Sequence, residues 1–325
     1  MIGSPLISIA VCTYNGAKYL KEQLDSLVNQ TYINLEIIIC DDCSTDDTVQ
    51  IIRQFAIQYS NVKYEVNATN LGYIKNFENV LRLCKGDFVT LCDQDDIWIE
   101  DKIKLMLGAF DEETVLLYHN SNYMNENGDK IGLTLAQTSG YISGSNPYQL
   151  AFHNCVAGHA MMFKKELIEE ILPFPQLMPH DHWIAFVALN LGNVQYLSKA
   201  LVNYRQHTHS ITDILNQRKE SDKKLEVLRK LRTRSKINKD RIQNLKAMQA
   251  YPKNMTSNIV FYGKIIKHLE ERDQKYFSYA LFKFLLLNRN TLFSFYRKNI
   301  FSVINKIFKE SIGNKGKLQW FKLMH

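Results

Sequence analysis

The chain has 325 residues, 46% of them hydrophobic, which is enough apolar material for one large domain or a domain with a substantial extension. Its net charge of +7 conceals two parts of opposite sign: residues 1–213 carry 14 Lys and Arg against 25 Asp and Glu, and residues 214–325 carry 26 against 8. The absence of any apolar run of about eighteen residues excludes a simple membrane-spanning helix.

The first residues, "MIGSPLISIAVCTYNG", lack the basic region and long apolar run of a secretory leader. "LISIAVCTY" (6–14) is β-branched and apolar, as a buried strand should be. "NGAKYLKEQLDSLVNQ" (15–30) sets Tyr19, Leu20, Leu24, Leu27 and Val28 at helical spacing. "LEIIICDD" (35–42) predicts a second strand that ends in two acids. "STDDTVQIIRQFAIQY" (44–59) predicts a helix with Ser44 as its N-cap and Asp47 three residues on. A third strand in "VKYEVNA", a helix over 72–84 and a fourth strand in "DFVTLCD" (87–93) follow. This alternation predicts βαβ units and an α/β fold, with a mostly parallel central sheet flanked by helices.

In such sheets ligands bind beyond the carboxyl ends of the strands. Those ends carry Thr13, Tyr14 and Asn15, then Asp41 and Asp42, then Asp93, Asp95 and Asp96 in "LCDQDDIW". Carboxylates spaced i, i+2 on a loop can share one Mg²⁺ or Mn²⁺ ion, since hard cations prefer oxygen ligands. The competing reading is an acidic first turn of a helix in "DDIWIEDKIKLML". No Gly-rich phosphate loop occurs, which argues against a dinucleotide dehydrogenase or a P-loop NTPase.

After residue 100 the spacing is less regular. "LLYHNSNYMNENGDKI" (116–131) predicts a strand and a turn at Asn127-Gly128, and "CVAGHAMMFKKELIEEIL" (155–172) a strand running into a helix. "HDHWIAFVALNLG" (180–192) predicts an apolar helix with Gly192 as its C-cap, and "VQYLSKALVNYRQH" (194–207) another strand. The boundary is expected near residue 213, giving a catalytic domain over 1–213 and a basic, mostly helical extension over 214–325. The six cysteines are scattered and read as reduced thiols of a cytosolic protein, the Cys40–Cys43 pair included.

"ISIAVCTYNGAKYLKEQLDSLVNQTYINLEIIICDDCSTDDT", "NLGYIKNF" and "DQDDIW" resemble the family 2 glycosyltransferases, which share the GT-A fold. "HDHWIAFVALNLGNVQYLSKALVNYRQH" resembles the bacterial rhamnosyltransferase-like branch. The resemblance implies transfer of a sugar, L-rhamnose in that branch, from a dTDP- or UDP-linked donor with inversion. The acceptor would be a glycan or lipid-linked hydroxyl in bacterial surface polysaccharide synthesis. It also implies roles. Thr13, Tyr14, Asn15, Asp41, Asp42, Asn70, Lys75 and Asn76 would bind the nucleotide or sugar. Asp93 and Asp95 match the family's D-x-D and, with His207, would hold Mn²⁺ or Mg²⁺. Asp181 matches the catalytic base and Trp183 an acceptor-packing residue; Arg205, read from its polar surroundings, is a phosphate contact or an exposed side chain. One departure is His182, which separates Asp181 from Trp183 where the branch has them adjacent.

The basic, aromatic stretch "YALFKFLLLNRNTLFSFYRKNIFSVINKIFK" matches no nucleic-acid motif. It fits contact with the inner membrane surface, so the enzyme would be cytoplasmic and peripheral. A packing extension or a homodimer contact is the other reading of this tail. For the whole chain, the alternative to an enzyme is a non-catalytic nucleotide-sugar or glycan-binding module that kept the fold.

Overall fold

The computed structural model describes residues 4–207, 223–295 and 299–313, except the side chains of 223–235. Two compact units result: Met1–Ser145 with Cys155–Gln217, and Asn146–Asn154 with Arg218–His325. The boundary expected at 213–214 lies outside the described residues. The segment Asn146–Asn154, which no sequence signal set apart, falls with the second unit.

In the first unit the strands and helices alternate as expected: β1 Ile7–Thr13, α1 Ala17–Val28, β2 Leu35–Asp41, α2 Thr48–Gln58, β3 Val62–Val66, α3 Tyr73–Leu83 and β4 Phe88–Cys92. β5 Ile97–Trp98, α4 Lys102–Leu107, β6 Thr114–Met124, β7 Lys130–Thr134 and α5 Leu135–Ser139 follow. β8 Met161–Lys164, α6 Leu167–Ile171, α7 His180–Leu191 and β9 Asn193–Arg205 complete the unit. The sheet runs β3-β2-β1-β4-β8-β6-β9-β5, with β7 paired to β6. β1 lies parallel to β2 and β4, with Thr13 opposite Asp41 and Val11 opposite Cys92. This register brings the ends of three strands, and the polar residues just beyond them, to one edge. β9 is parallel to β6, and β5 returns antiparallel along β9 with Ile97 opposite Asn203. The end of β9 therefore arrives at the acidic loop before β5.

Every residue of β2 is buried, as is nearly all of β1, which fits their unbroken apolar sequence. Leu20, Leu24 and Leu27 of α1 and Ile52 and Phe55 of α2 pack on them. Removing one such leucine side chain would cost about 2–5 kcal/mol. α7 is buried on almost all sides, which its mean composition foreshadows. Gly192 is the C-cap of α7, as expected, in extended backbone (φ 176°); a Cβ there would lie 2.5 Å from Val115 Cγ2.

The second unit holds α8 Lys223–Gln249, α9 Thr256–Asp273, α10 Tyr279–Leu287, α11 Arg289–Leu292 and α12 Ile300–Ser311. Leu245, Tyr262, Ile265, Leu269, Leu281, Leu285 and Ile307 are buried there. Arg241 pairs with Glu310 at 2.6 Å, and Arg272 donates to the Glu310 carbonyl at 2.8 Å. Among the described residues no helix is long and apolar enough to cross a membrane.

Candidate active site

The loops after β1 and β2 brace each other. Asp41 accepts from Thr13 Oγ1 at 2.7 Å, from Ser44 N at 2.8 Å and from Ser44 Oγ at 2.6 Å. Ser44 Oγ in turn accepts from Asn15 N at 2.8 Å, and Asn15 Oδ1 accepts from Thr45 N at 2.8 Å. Ser44 is thus not the N-cap expected of α2; Asp47 occupies that position without a side-chain cap bond. Asn15 (φ 46°) and Cys43 (φ 64°) sit in left-handed backbone, and the bonds around them hold them there.

Asp42 reaches the other way. Its carboxylate accepts from Leu71 N and Gly72 N at 2.8 Å each and from Asn67 Nδ2 at 2.9 Å, fixing the loop that opens α3. Asn76 is buried, donates to the Cys40 carbonyl at 2.8 Å and accepts from Asn67. Both ends of its side-chain amide are thus bonded within the protein, which is not the ligand-facing place expected of it. Thr13, Asp41 and Asp42 are likewise buried and bonded inward, so they shape this edge rather than line it. The residues turned to solvent are Tyr14, Asn15, Asn70 and Lys75, the last paired with Glu78 at 2.9 Å.

The acidic loop is not a helix start, because β5 intervenes and α4 begins only at Lys102. Gln94 clips it to the first loop, accepting from Tyr14 N at 2.8 Å and donating to Tyr14 O at 3.1 Å. A Cβ on residue 16 would run into the Gln94 side chain, so a larger residue there would displace this clip. Nothing in the sequence singled out Gln94.

Asp93 keeps 42% of its side chain exposed, yet protein crowds it on the other sides. This desolvation, then the charges of Asp95 and Asp181, pushes its carboxyl up to about 7. Three carboxylates from two distant segments therefore act on one another. Asp95 Oδ2 lies 2.8 Å from His207 Nε2, and Asp93 Oδ2 lies 3.9 Å from His159 Nδ1. Asp96 is fully buried. One oxygen accepts from Arg205 N at 2.9 Å, the other has no partner, and burial drives the group well above the carboxylate range.

Arg205 corrects its expected role. It is 2% exposed, stacks 4.5 Å over Tyr19, and donates from Nε to Asp95 O, from one terminal nitrogen to Glu126 O and from the other to Glu22. Its donors hold the acidic loop, and none is aimed at a phosphate.

Beneath the loop lies Lys102, buried, its Nζ 2.8 Å from the His159 carbonyl and 3.2 Å above the Trp98 ring. Burial pulls it down to about 7 against the opposing pull of Cys92, Asp96 and Asp93. His159 stacks on Tyr204 at 4.3 Å, meets Ser121 Oγ at 2.9 Å and is lowered to about 3 by burial and by Lys102. Sequence reasoning missed His159 and Lys102, which belong to no recognised motif.

Among the described residues one group of three donors converges as a cation site would require. Asp93, Asp96 and His159 bring one atom each within 4.8 Å of one another. The Lys102 amine packed beside them and the full burial of Asp96, which disfavours its charged form, both oppose a cation. The expected set, Asp93, Asp95 and His207, has the Asp95–His207 contact at 2.8 Å and carboxylates that are not fully buried, whose mutual repulsion a divalent ion would relieve, but its three ligand atoms do not converge within 4.8 Å.

Asp181 sits in the first turn of α7, after the N-cap residue Pro179, and its Oδ1 accepts from His182 N at 2.6 Å. Its charge is felt at Asp93 and at Tyr73. His180 is enclosed, stacked on Phe77 at 4.1 Å and edge-on to Tyr73 at 5.7 Å, and burial lowers it to about 3. Gly158 permits close approach here, since a Cβ would lie 3.2 Å from His180 Nε2. Trp183 is turned inward: it is buried, and Nε1 donates to Ile171 O at 3.0 Å. This corrects its expected place against the acceptor and makes it part of the α6–α7 packing.

The sequence profile of glycosyl transferase family 2 matches residues 8–172. An uncharacterized glycosyltransferase of Haemophilus influenzae is 30% identical over 243 residues, covering 69% of this chain and 73% of the relative. The dTDP-rhamnosyl transferase RfbG of Shigella flexneri is 28% identical over 221 residues, covering 62% and 72%. Among solved structures, S. aureus TarS 1-349 in complex with UDP-GlcNAc aligns with a TM-score of 0.57 at 19% identity, covering 81% of this chain and 71% of that one. At that identity the likeness concerns the fold.

Proposed function

The chain belongs to glycosyl transferase family 2, and on that premise we propose an inverting glycosyltransferase that requires a divalent cation, Mn²⁺ or Mg²⁺. The observation that carries this reading is the convergence of Asp93, Asp95 and Asp181, felt in an Asp93 carboxyl raised to about 7 by burial and those two charges. Asp93, Asp95 and His207 would hold the cation, which when bound would neutralise charge on the leaving diphosphate. Tyr14, Asn15, Asn70 and Lys75 contact the donor.

Asp181 takes the proton of the acceptor hydroxyl as that oxygen bonds to the anomeric carbon. The bond from this carbon to the diphosphate breaks on the opposite face, and the diphosphate keeps the electron pair. His180 cannot stand in as base, being enclosed by aromatic rings with both ring nitrogens lacking a partner.

The likeness to a dTDP-rhamnosyl transferase supports L-rhamnose on dTDP as the donor, with UDP-sugars second. The acceptor is a glycan or lipid-linked saccharide of a bacterial surface polysaccharide, met at the cytoplasmic face of the membrane. A non-catalytic module would need neither Asp93 with Asp95 nor Asp181. The test is thermal shift with dTDP, UDP and their sugars, with Mn²⁺, Mg²⁺ or EDTA, followed by nucleotide release with saccharide acceptors. Cation-dependent binding and turnover are expected. Binding indifferent to EDTA would remove the cation, and binding without any turnover would favour the module.

A further inference from the structure

α12 turns Val303, Ile307 and Ser311, spaced by four, into the second unit. On another side it shows water two phenylalanines: Phe301 is 78% exposed and Phe308 46%. They are seven residues apart, two helical turns, and so share a face. Phe308 also touches α10 and the residues before it, with ring centroids 5.2 Å from Phe277 and 6.5 Å from Phe282. α10 carries an outward stripe of the same kind. Tyr279 is 71% exposed and Leu287 72%, eight residues apart, with exposed Lys283 midway. Lys309 follows Phe308 on α12 and is exposed too.

Helices of a water-soluble unit gain nothing by exposing such side chains, and clustered exposed apolar groups mark interaction surfaces. Charge decides what covers them. Residues 214–325 hold 26 Lys and Arg against 8 Asp and Glu. A second copy would bring like charge against like, whereas an anionic bilayer attracts it. Lysine stems can also lie along the apolar face while their ammonium groups reach phosphates. We infer that α12, with α10 beside it, is a docking face for an anionic lipid bilayer, with Phe301 and Phe308 inserted below the headgroups. The inference rests on the proposed function only for the lipid-linked acceptor, and its test uses no sugar, so the two can fail separately.

The test is sedimentation of the full chain with vesicles of equal parts phosphatidylcholine and phosphatidylglycerol, and with phosphatidylcholine alone. Recruitment to the anionic vesicles only is expected, weakening as salt approaches ~1 M, where the screening length is about 3 Å. Phe301→Ser, whose side chain is mostly free of protein contacts, should weaken partitioning roughly tenfold with an unchanged melting temperature. Lys283→Glu with Lys309→Glu should abolish the preference for anionic lipid. Absence of binding, equal binding to both vesicles, or binding indifferent to Phe301→Ser would overturn the assignment. So would a dimer on size exclusion that Phe301→Ser dissociates, since the face would then belong to a second copy.

Discussion

Asp95 is gripped twice from the end of β9: its side chain by His207, with Nε2 2.8 Å from Oδ2, and its backbone carbonyl by Arg205, whose Nε donates at 2.8 Å. Arg205 and His207 are two residues apart in an extended segment, so both side chains can reach one loop. The last strand of the sheet thereby sets the geometry of the acidic loop, although more than a hundred residues separate them in sequence.

Arg205→Lys should uncouple this grip while keeping the charge. A lysine cannot reproduce three directed donors and a flat ring stacked on Tyr19. We expect a loss of roughly 10²-fold in turnover, the scale on which small displacements of catalytic groups act. The affinity for Mn²⁺ with UDP, read by calorimetry, should fall as well. A drop in melting temperature with unchanged Mn²⁺ affinity would limit Arg205 to stabilising the fold.

Asp93→Asn should stabilise the protein, and only above a definite pH. The folded state holds the Asp93 proton up to about 7, against an ordinary value of 3.8. Between these values the unfolded chain is ionised and the folded one is not, so stability falls as pH rises through the window. The gain from Asn should be absent below pH 4, grow to pH 7 and level off beyond it. Because the side chain is partly open to water, about 1 kcal/mol is a reasonable ceiling. Melting curves of both proteins across this range, without metal, check it. A gain independent of pH would mean that Asp93 is not ionising as described.

Trp183→Phe should cost roughly 1–3 kcal/mol of stability, because it removes part of a buried ring and leaves the Ile171 carbonyl without its donor. Acceptor KM should not change, since the ring faces the core. A raised acceptor KM at unchanged stability would restore the tryptophan to the acceptor site.

The repeating part of the fold was legible because its signals are local. Apolar runs at β1 and β2 and the spacing of Leu20, Leu24 and Leu27 fix elements without reference to anything distant. The acidic cluster at a strand end was legible for the same reason. What the sequence left open depends on partners far away in the chain. Arg205 in "YRQH" looks like an exposed phosphate contact, and only the β5–β9 pairing turns it onto Asp95. Ser44 looks like a helix cap, but its hydroxyl is held between Asp41 and the amide of Asn15, 29 residues earlier. Trp183 follows a polar helix start, yet α7 is buried on that side too. Gln94 and His159 gain their meaning from Tyr14 and Asp93, and Lys102 from the His159 carbonyl, partners that no spacing rule connects.

Asp181→Asn separates the two things Asp181 can do. Its Oδ1 accepts from His182 N at 2.6 Å, an amide of the first helical turn. Asparagine retains an oxygen for that bond and serves helix starts about as well as aspartate. Stability should therefore change by less than about 1 kcal/mol. Asparagine cannot take a proton from an attacking hydroxyl, so turnover should fall roughly 10²–10⁴-fold, the usual span of general-base catalysis. No other acid lies in the sequence between Glu170 and Asp213, and His180 is buried against Phe77 and lowered to about 3, so neither can readily take over. Removing the charge that Asp93 feels should also bring the Asp93 carboxyl down, while donor binding with Mn²⁺ is retained. Tight metal and donor binding with little turnover is thus the signature of a lost base. Near-normal turnover would make Asp181 a helix-start residue, and a parallel loss of donor binding would place it in the nucleotide site instead.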